Sequence, residues 1–363
     1  MKKTLDESRK IINQVDKEMA ELFVKRMQAV KNIADYKKEH GLPIYDAKRE
    51  DELISVNSQK VEDLEIRPYY VNFLKNNMQV SRSYQSMIME GMRVAYSGTE
   101  GAFAHIATNK LFPTAKKIAY GDFESAYRAV ENGECDVAVL PVENSYNGEV
   151  GQVTDLMFSG SLFVNGMTEL AVSQDLLGVE GATIDGIKTV ISHAQALGQC
   201  ADFIKMHSYT AQEYVNTALA AKYVAEKGDK TIGAIASKEA AEIFGLKVLA
   251  TNINASRSNT TRFAILSRAQ SATSLNSKNI HTVLLFTVKN EAGSLAKAIE
   301  IIGKHGFNMT ALRSRPMKKL SWQYYFYVEA EGDVTTANGK EMMQELSNYC
   351  DKLKAVGSYE KID

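Results

Sequence analysis

The feature that most restricts this chain is a change of rhythm at Gly91. Up to residue 90 the sequence reads as helix, with Gly41-Leu42-Pro43 as its first clear break. Beyond Gly91, Val94-Ala95-Tyr96 reads as a strand, and strands then alternate with helices to about Ser267. One core cannot serve both regimes, and 363 residues suffice for roughly two to three domains. The polar, Ser-rich stretch Ser267 to Asn279 reads as a linker. After it come a strand over 281–288, a helix over 293–305, strands over 307–316 and 322–329, a helix from about Thr336 and a last strand near Ala355. That βαββαβ order predicts a small ferredoxin-like unit. The expected organisation is multidomain: all-α over 1–90, α/β over 91–268, a linker over 269–279 and α+β over 280–363.

Bulk properties remove several functional classes. A formal net charge of −1 gives no global reason to expect nucleic acid or an anionic membrane as partner. No stretch approaches the ~20 apolar residues of a membrane helix. Met1-Lys2-Lys3 resembles a secretory start, but the residues that follow are polar, so no such leader is expected. Cys135, Cys200 and Cys350 are far apart and odd in number. They fit a reducing cytoplasm and argue against a zinc site or a disulfide framework. No paired histidine spacing suggests a metal.

Leu5, Ile12, Met19, Leu22, Ala29 and Ile33 recur at heptad-like spacing along one long helix. Arg26 and Lys37 fall on the same stripe, three turns or ~16 Å apart, a span suited to holding one small dianion. Arg9 lies ~25 Å from Arg26 and cannot share that ligand; if it binds anything similar, it serves a second site, most simply one in a partner chain. Leu74, Met78, Ser81, Gln85 and Ile88 form a second stripe with two polar members. Asp46, Arg49, Glu50 and Leu53 open the middle helix, with Asp46 as its N-cap.

This arrangement resembles the all-helical chorismate mutases. The resemblance implies an intertwined three-helix dimer whose sites borrow one arginine from the partner. It also implies a pericyclic conversion of chorismate to prephenate without nucleophile or cofactor. The protein has only to fold the substrate and stabilise charge growing on its ether oxygen. By resemblance Arg9, Arg26 and Arg49 hold carboxylates, Lys37 and Gln85 face the ether oxygen, and Glu50 takes the ring hydroxyl. Ser81 helps to bind a carboxylate, and Asp46 falls among the substrate-site positions.

In the α/β region, Gly98-Thr99-Glu100-Gly101 reads as a turn opening a helix. Polar runs then follow successive apolar strands: Glu143-Asn144-Ser145, Ser192-His193-Ala194-Gln195 with Gln199-Cys200, Asn216-Thr217, and Asn259-Thr260-Thr261-Arg262-Phe263. Strand ends of this kind are where α/β sheets place ligands. Together the runs resemble prephenate dehydratase, with Ala194 where that family commonly has proline. The resemblance implies two α/β lobes, similar to periplasmic binding proteins, with the site in the cleft. The implied chemistry removes the ring hydroxyl and a carboxylate from prephenate, and it needs a positioned acid. Thr261 is the candidate, either as acid or as proton relay, with Asn144 and Gln199 orienting the substrate. Glu143, Ser145, Ser192, His193, Asn216, Thr217 and Phe263 complete the candidate set. Arg262 is either a carboxylate anchor or a structural pin on Glu143.

The last region resembles the ACT regulatory domain, which binds phenylalanine at a subunit interface. Gly293-Ser294-Leu295-Ala296 nearly matches that family's G-A-L-V loop. Ser314-Arg315-Pro316 matches its E-S-R-P run, with Arg313 replacing the glutamate. Asn308, Met309, Leu312, Ser314 and Arg315 are then candidate effector contacts. The resemblances together imply a bifunctional cytoplasmic enzyme of phenylalanine synthesis, regulated by phenylalanine and assembled as a homodimer or homotetramer. An arogenate-preferring dehydratase and a non-enzymatic aromatic-acid sensor stand as alternatives.

Overall fold

A computed structural model describes residues 4–255, 259–271, 279–317 and 323–360. It forms two compact units, Met1–Arg93 and Val94–Asp363. The first holds α1 (Leu5–His40), α2 (Ala47–Ser58) and α3 (Arg67–Glu90). Thr4 and Glu7 form a reciprocal capping box at the start of α1. Gly41 ends that helix with φ 64°, a conformation most side chains resist. Asp46 caps α2, accepting from the Arg49 N–H at 3.0 Å. α1 and α3 pack through Val30, Ala34, Leu74 and Met78, and the stripe over α3 also buries Ser81 and Gln85.

The second unit opens with β1 (Arg93–Ser97), α4 (Phe103–Leu111), β2 (Lys116–Tyr120), α5 (Phe123–Glu131), β3 (Val137–Asn144), β4 (Gly148–Glu149), α6 (Gly151–Ser159) and β5 (Phe163–Ala171). A second lobe follows with β6 (Asp175–Gly178), β7 (Thr189–Ser192), α7 (Ala194–Gln199), α8 (Ala201–Met206), β8 (Thr210–Glu213), α9 (Thr217–Lys227), β9 (Ile232–Ala236), α10 (Lys238–Phe244) and β10 (Lys247–Ala250). The chain then returns to the first lobe as β11 (Thr260–Ser267). The first-lobe sheet runs β2-β1-β3-β11-β5, with β4 beside β3, and the second runs β10-β6-β9-β7-β8. Two crossings, β5 to β6 and β10 to β11, therefore join the lobes.

β3 runs on past Leu140 into the polar run, as far as Asn144. It continues through Pro141 because a bulge absorbs that residue. β11 places Arg262 opposite Glu143 and Phe263 opposite Pro141, leaving Val142 as the extra residue. A proline without an N–H is tolerated at such a point.

The remaining elements are β12 (Ile280–Val288), α11 (Ser294–Lys304), β13 (Asn308–Pro316), β14 (Tyr324–Glu331), α12 (Ala337–Ser347) and β15 (Cys350–Glu360). Their antiparallel sheet runs β13-β14-β12-β15, the split βαβ order expected from the sequence. Most of the linker, residues 272–278, and Trp322 lie outside the described residues. One sheet face buries Leu284, Phe286 and Val328 with Ile301, Ile302 and Leu346 of the two helices. The opposite face is buried too. Its Val283, Leu285, Tyr325, Tyr327, Val356 and Tyr359 share one core with Tyr127, Val153, Met157 and Val164 of the first lobe.

Candidate functional site

A cleft of about 340 Å³ opens at the crossings between the two lobes. Its floor is set by strand register. Thr261 pairs with Asn144 across β11 and β3, and the Asn144 Nδ2 donates to Thr261 Oγ1 at 2.9 Å. The bulge at Val142 makes this possible, because strict alternation from Leu140 would turn Asn144 to the other face. Asn144 Nδ2 also donates to Asn259 Oδ1 at 2.8 Å, and Asn259 donates to Gln199 Oε1 at 3.1 Å. Asn144 Oδ1 in turn accepts from the Tyr146 and Asn147 N–H groups at 3.1 and 3.0 Å. The Thr261 hydroxyl is thus held as an acceptor, which leaves its proton to be donated into the cleft.

Among the described residues, two buried amide atoms in the lining have no protein partner: Gln199 Nε2 and Gln174 Oε1. Gln174 is 3% exposed, and leaving a buried polar atom unpaired costs ~1–3 kcal/mol. A polar ligand removes that cost. The sequence gives Gln174 no motif. Its one signal is position, in the polar break Ser173-Gln174-Asp175 between two apolar strand stretches.

The lining holds no lysine, arginine, aspartate or glutamate among the described residues. Positive potential comes instead from helix ends. Ala102 and Phe103 at the start of α4, and Asn216 and Thr217 at the start of α9, both line the cleft. Ala102 offers no side-chain cap, so the first N–H groups of α4 stay available to an anion. The turn before α4 needs its glycines. Gly101 has φ +84°, and a Cβ there would press on Phe244 and Ala218 of the second lobe. Cys200 contributes no thiolate, because burial pushes its thiol up to about 12.

The structure brings Asn144, His193, Gln199, Asn216, Thr217 and Thr261 to this cleft. It does not bring the other candidates there. Ser192 is fully buried and donates to the Ile235 carbonyl at 2.5 Å, tying β7 to β9. Ser145 Oγ accepts from the Thr260 N–H at 2.9 Å, and Phe263 is core against Val94, Tyr96 and Val139. Glu143 and Arg262 point to the opposite sheet face, where Arg262 pairs with Glu329 at 2.7 and 3.0 Å and with Glu143 at 3.5 Å. Of the two roles open to Arg262, the geometry supports the pin, with Glu329 as its main partner.

In the helical unit Arg26 on α1 donates to the buried Ser81 on α3, and burial lowers the arginine from its ordinary value. Gln85, one turn beyond Ser81, keeps a buried Oε1 without a partner. Lys37 Nζ donates to the Ile44 carbonyl at 2.6 Å. Glu50 is held through both oxygens by Arg82, a residue absent from the sequence-based set, whose guanidinium stands over the Tyr45 ring. Arg9 and Arg49 are solvent-exposed, each near an acidic neighbour on its own helix.

In the C-terminal sheet Leu312 and Ser314 are exposed on the edge strand β13. Gly293, with φ +86°, opens α11, and Asn308 donates to Glu331 at 3.1 Å. Met309 packs against the core beneath α11, whereas Arg315 points to the first lobe and pairs with Asp155 at 3.1 and 3.2 Å.

A hydroxyl, carboxamides and helix ends around an uncharged cleft suit the binding of a small organic acid. The accompanying helical unit carries a second cluster suited to acids, built on arginine and lysine. Comparison with known proteins narrows this. Residues 94–271 match the prephenate dehydratase family and residues 8–86 match chorismate mutase type II. The bifunctional chorismate mutase/prephenate dehydratase of Aquifex aeolicus is 31% identical, with 98% of each chain covered. Arogenate dehydratase 2 of Petunia hybrida is 33% identical over 77% of this chain and 75% of its own. The structure of Arthrobacter aurescens prephenate dehydratase in complex with L-Phe superposes with a TM-score of 0.68 at 24% identity, covering 74% of this chain and 90% of that one. The chain belongs to the bifunctional chorismate mutase/prephenate dehydratases.

Proposed function

We propose that the two activities of the family are divided between the two units, with the dehydratase centre built on Asn144 and Thr261. The observation that carries this is the 2.9 Å bond from Asn144 to Thr261 inside a cleft where Gln174 Oε1 and Gln199 Nε2 have no partner among the described residues. Prephenate placed there presents its ring hydroxyl to the Thr261 proton. The C–C bond to the ring carboxylate breaks and carbon dioxide leaves. That electron pair completes the aromatic ring, while the hydroxyl takes the Thr261 proton and departs as water, and a proton taken up from solvent restores Thr261. Phenylpyruvate remains, so carbon, hydrogen and oxygen balance. Asn144, by donating to Thr261 Oγ1, makes the threonine proton easier to give up. The helix ends at Ala102 and Asn216 suit the carboxylates. The absence of an acidic side chain from the described lining favours a keto acid over its amino analogue, whose ammonium would lack a counter-charge.

The mutase centre draws on Arg26, Lys37, Ser81 and Gln85 between α1 and α3. A second copy of the chain completes it with Arg9. The C-terminal sheet acts as an ACT-type sensor of phenylalanine, a reading supported by its strand order and by the exposed Leu312 and Ser314 edge. Titration calorimetry is expected to show phenylalanine binding to the full chain, and flat heats at millimolar ligand would remove the sensor.

The decisive assay feeds chorismate to the purified chain and follows prephenate and phenylpyruvate separately. Thr261→Ala is expected to lower phenylpyruvate formation by roughly a hundredfold or more while prephenate accumulates at the wild-type rate. Unchanged phenylpyruvate formation would refute the assignment.

A further inference from the structure

Asn144 and Thr261 face the cleft, and their chain neighbours Glu143 and Arg262 face the C-terminal sheet. Four charges alternate across that contact: Glu329, Arg262, Glu143 and Arg313. Arg262 meets both oxygens of Glu329 at 2.7 and 3.0 Å. Glu329 is 2% exposed and also accepts from the Tyr359 hydroxyl at 2.7 Å. Glu143 lies 3.5 Å from Arg262 and 2.5 Å from Arg313. The Arg313 guanidinium rests over the Tyr327 ring, 5.2 Å from its centre. Two members of this chain belong to the C-terminal sheet, and two belong to the strands that carry the cleft residues.

We infer that Glu329 and Arg313 are positioning residues, through which the C-terminal sheet sets the placement of Thr261 against Asn144 and so the dehydratase rate. The inference rests on the cleft being the dehydratase centre. Its physical basis is that a buried ion pair cannot be parted cheaply. Moving one partner leaves an uncompensated charge out of water. A shift of β14 therefore carries β11 with it, while the partly exposed pair of Arg313 with Glu143, backed by the Tyr327 ring, ties β13 to β3. Each strand needs to transmit motion across only one residue to reach the cleft.

The same sheet also grips α6, whose preceding residue Val150 lines the cleft. Arg315 and the Tyr325 hydroxyl hold Asp155 at its middle, and Lys354 caps its C-terminal end through the Met157 and Gly160 carbonyls. The Arg315 guanidinium lies directly over Gly151, so a Cβ there would push that side chain aside. Arg313 stands where the resembled pattern has glutamate. A glutamate would meet Glu143 with like charge, so this arm of the contact is a property of this chain.

The test compares the full-length chain with Arg313→Met, Arg313→Lys and Glu329→Gln. Arg313→Met is expected to lower kcat on prephenate roughly tenfold or more, since small misplacements of reacting groups cost that much. KM should stay within about twofold, and the mutase rate of the same sample should not change. Arg313→Lys should recover most of the loss. Hydrogen exchange of peptides over 140–150 and 259–267 should quicken in step with the loss of kcat. Glu329→Gln should show the same pattern more strongly. If that variant fails to fold, Arg313→Met decides alone. A lowered melting temperature with unchanged kcat and unchanged exchange would overturn the inference, as would a loss confined to KM. If the wild-type chain forms no phenylpyruvate from prephenate, the dehydratase reading fails. Exchange then decides separately whether these charges position the two strands.

Discussion

The helical unit and the α/β unit solve the same problem, holding a small acid, with opposite economies of structure. In α1, 36 residues long, the buried positions are Val30 and Ala34, while Leu5, Ile12, Met19 and Leu22 stay exposed. In the α/β unit the cleft residues Asn144, Gln199 and Thr261 are each buried, and each has a protein partner. The helical cluster uses long cationic side chains, Arg26 reaching Ser81 on α3 and Lys37 reaching the Ile44 carbonyl. The α/β cluster uses short amides and a hydroxyl fixed by strand register, and takes its positive potential from helix ends. A long charged side chain tolerates an incomplete surrounding because it can move to its ligand. A threonine hydroxyl has no such reach and must be placed by the backbone. If a second copy completes the helical site, its missing parts lie outside the single chain, whereas the α/β site is assembled within it.

That difference is open to a direct break. If Arg9 serves the site of a second copy, Arg9→Ala and Arg26→Ala should each abolish most mutase turnover. A mixture of the two, unfolded and refolded together, should regain activity. A mixed dimer keeps one site with both arginines intact, so random pairing of a two-fold dimer restores about a quarter of the wild-type rate. Mixing has no reason to rescue a site completed within one chain. Refolded mixtures as inactive as either parent would place Arg9 in the same site as Arg26, or in none. Dehydratase turnover should be unmoved by either substitution.

A smaller effect sharpens the other half of the comparison. Gln174→Met replaces a buried amide by an apolar chain of similar size and removes an unpaired oxygen. It is expected to raise the melting temperature slightly while lowering kcat/KM for prephenate roughly ten- to a hundredfold, the range set by ~1–3 kcal/mol for one lost hydrogen bond. The backbone N–H of Gln174, which bonds Asn254 at 3.1 Å, is untouched by this change. Opposite signs for stability and activity are what a ligand-binding group shows. A variant that gains stability and keeps its kinetics would mark Gln174 as filler.

Much of this was legible in the sequence, and the illegible part has a common cause. Periodicity located the α3 stripe down to Ser81 and Gln85, and turn chemistry identified Asp46 as a cap. These signals are local, and they survive because neighbouring residues decide them. The strand-end polar runs also located the cleft, since polar residues directly after an apolar strand fall at its end, where α/β sheets place ligands. What failed to show was decided at a distance. Arg262 and Glu329 are 67 residues apart in sequence, so no spacing could announce their pairing. Nor does alternation foretell the bulge at Val142, which moves Glu143 and Asn144 to the faces they occupy. Ser192 looked like a cleft hydroxyl because it ends a strand. Its side chain falls on the β9 side and is used up by a carbonyl. Arg82 carries no signal in the sequence, because a guanidinium on a helix is ordinarily solvated, yet it pairs with Glu50.

The smallest expected effect concerns charge pairs within the α/β unit itself and asks whether they matter where water screens them. His305, at the end of α11, presents Nε2 to Glu345 at 3.0 Å and Nδ1 to Asn338 at 2.9 Å. Two oxygen acceptors on one ring favour the imidazolium, which donates from both nitrogens. The Glu345 bond, then the Asn338 bond, holds His305 above its ordinary value, against the nearby Lys304 ammonium. A pKa raised on folding stabilises the protein fully below the unfolded value of about 6.5, and that stability fades as pH rises through the folded value. His305→Ala should therefore melt slightly below wild type at pH 5.5, and the two curves should converge by about pH 9. Glu345 remains ionised throughout that range, so the convergence reports the histidine alone. A gap that stays constant with pH would assign His305 a packing role. It would leave the buried Arg262–Glu329 contact as the kind of charge pair on which this unit depends.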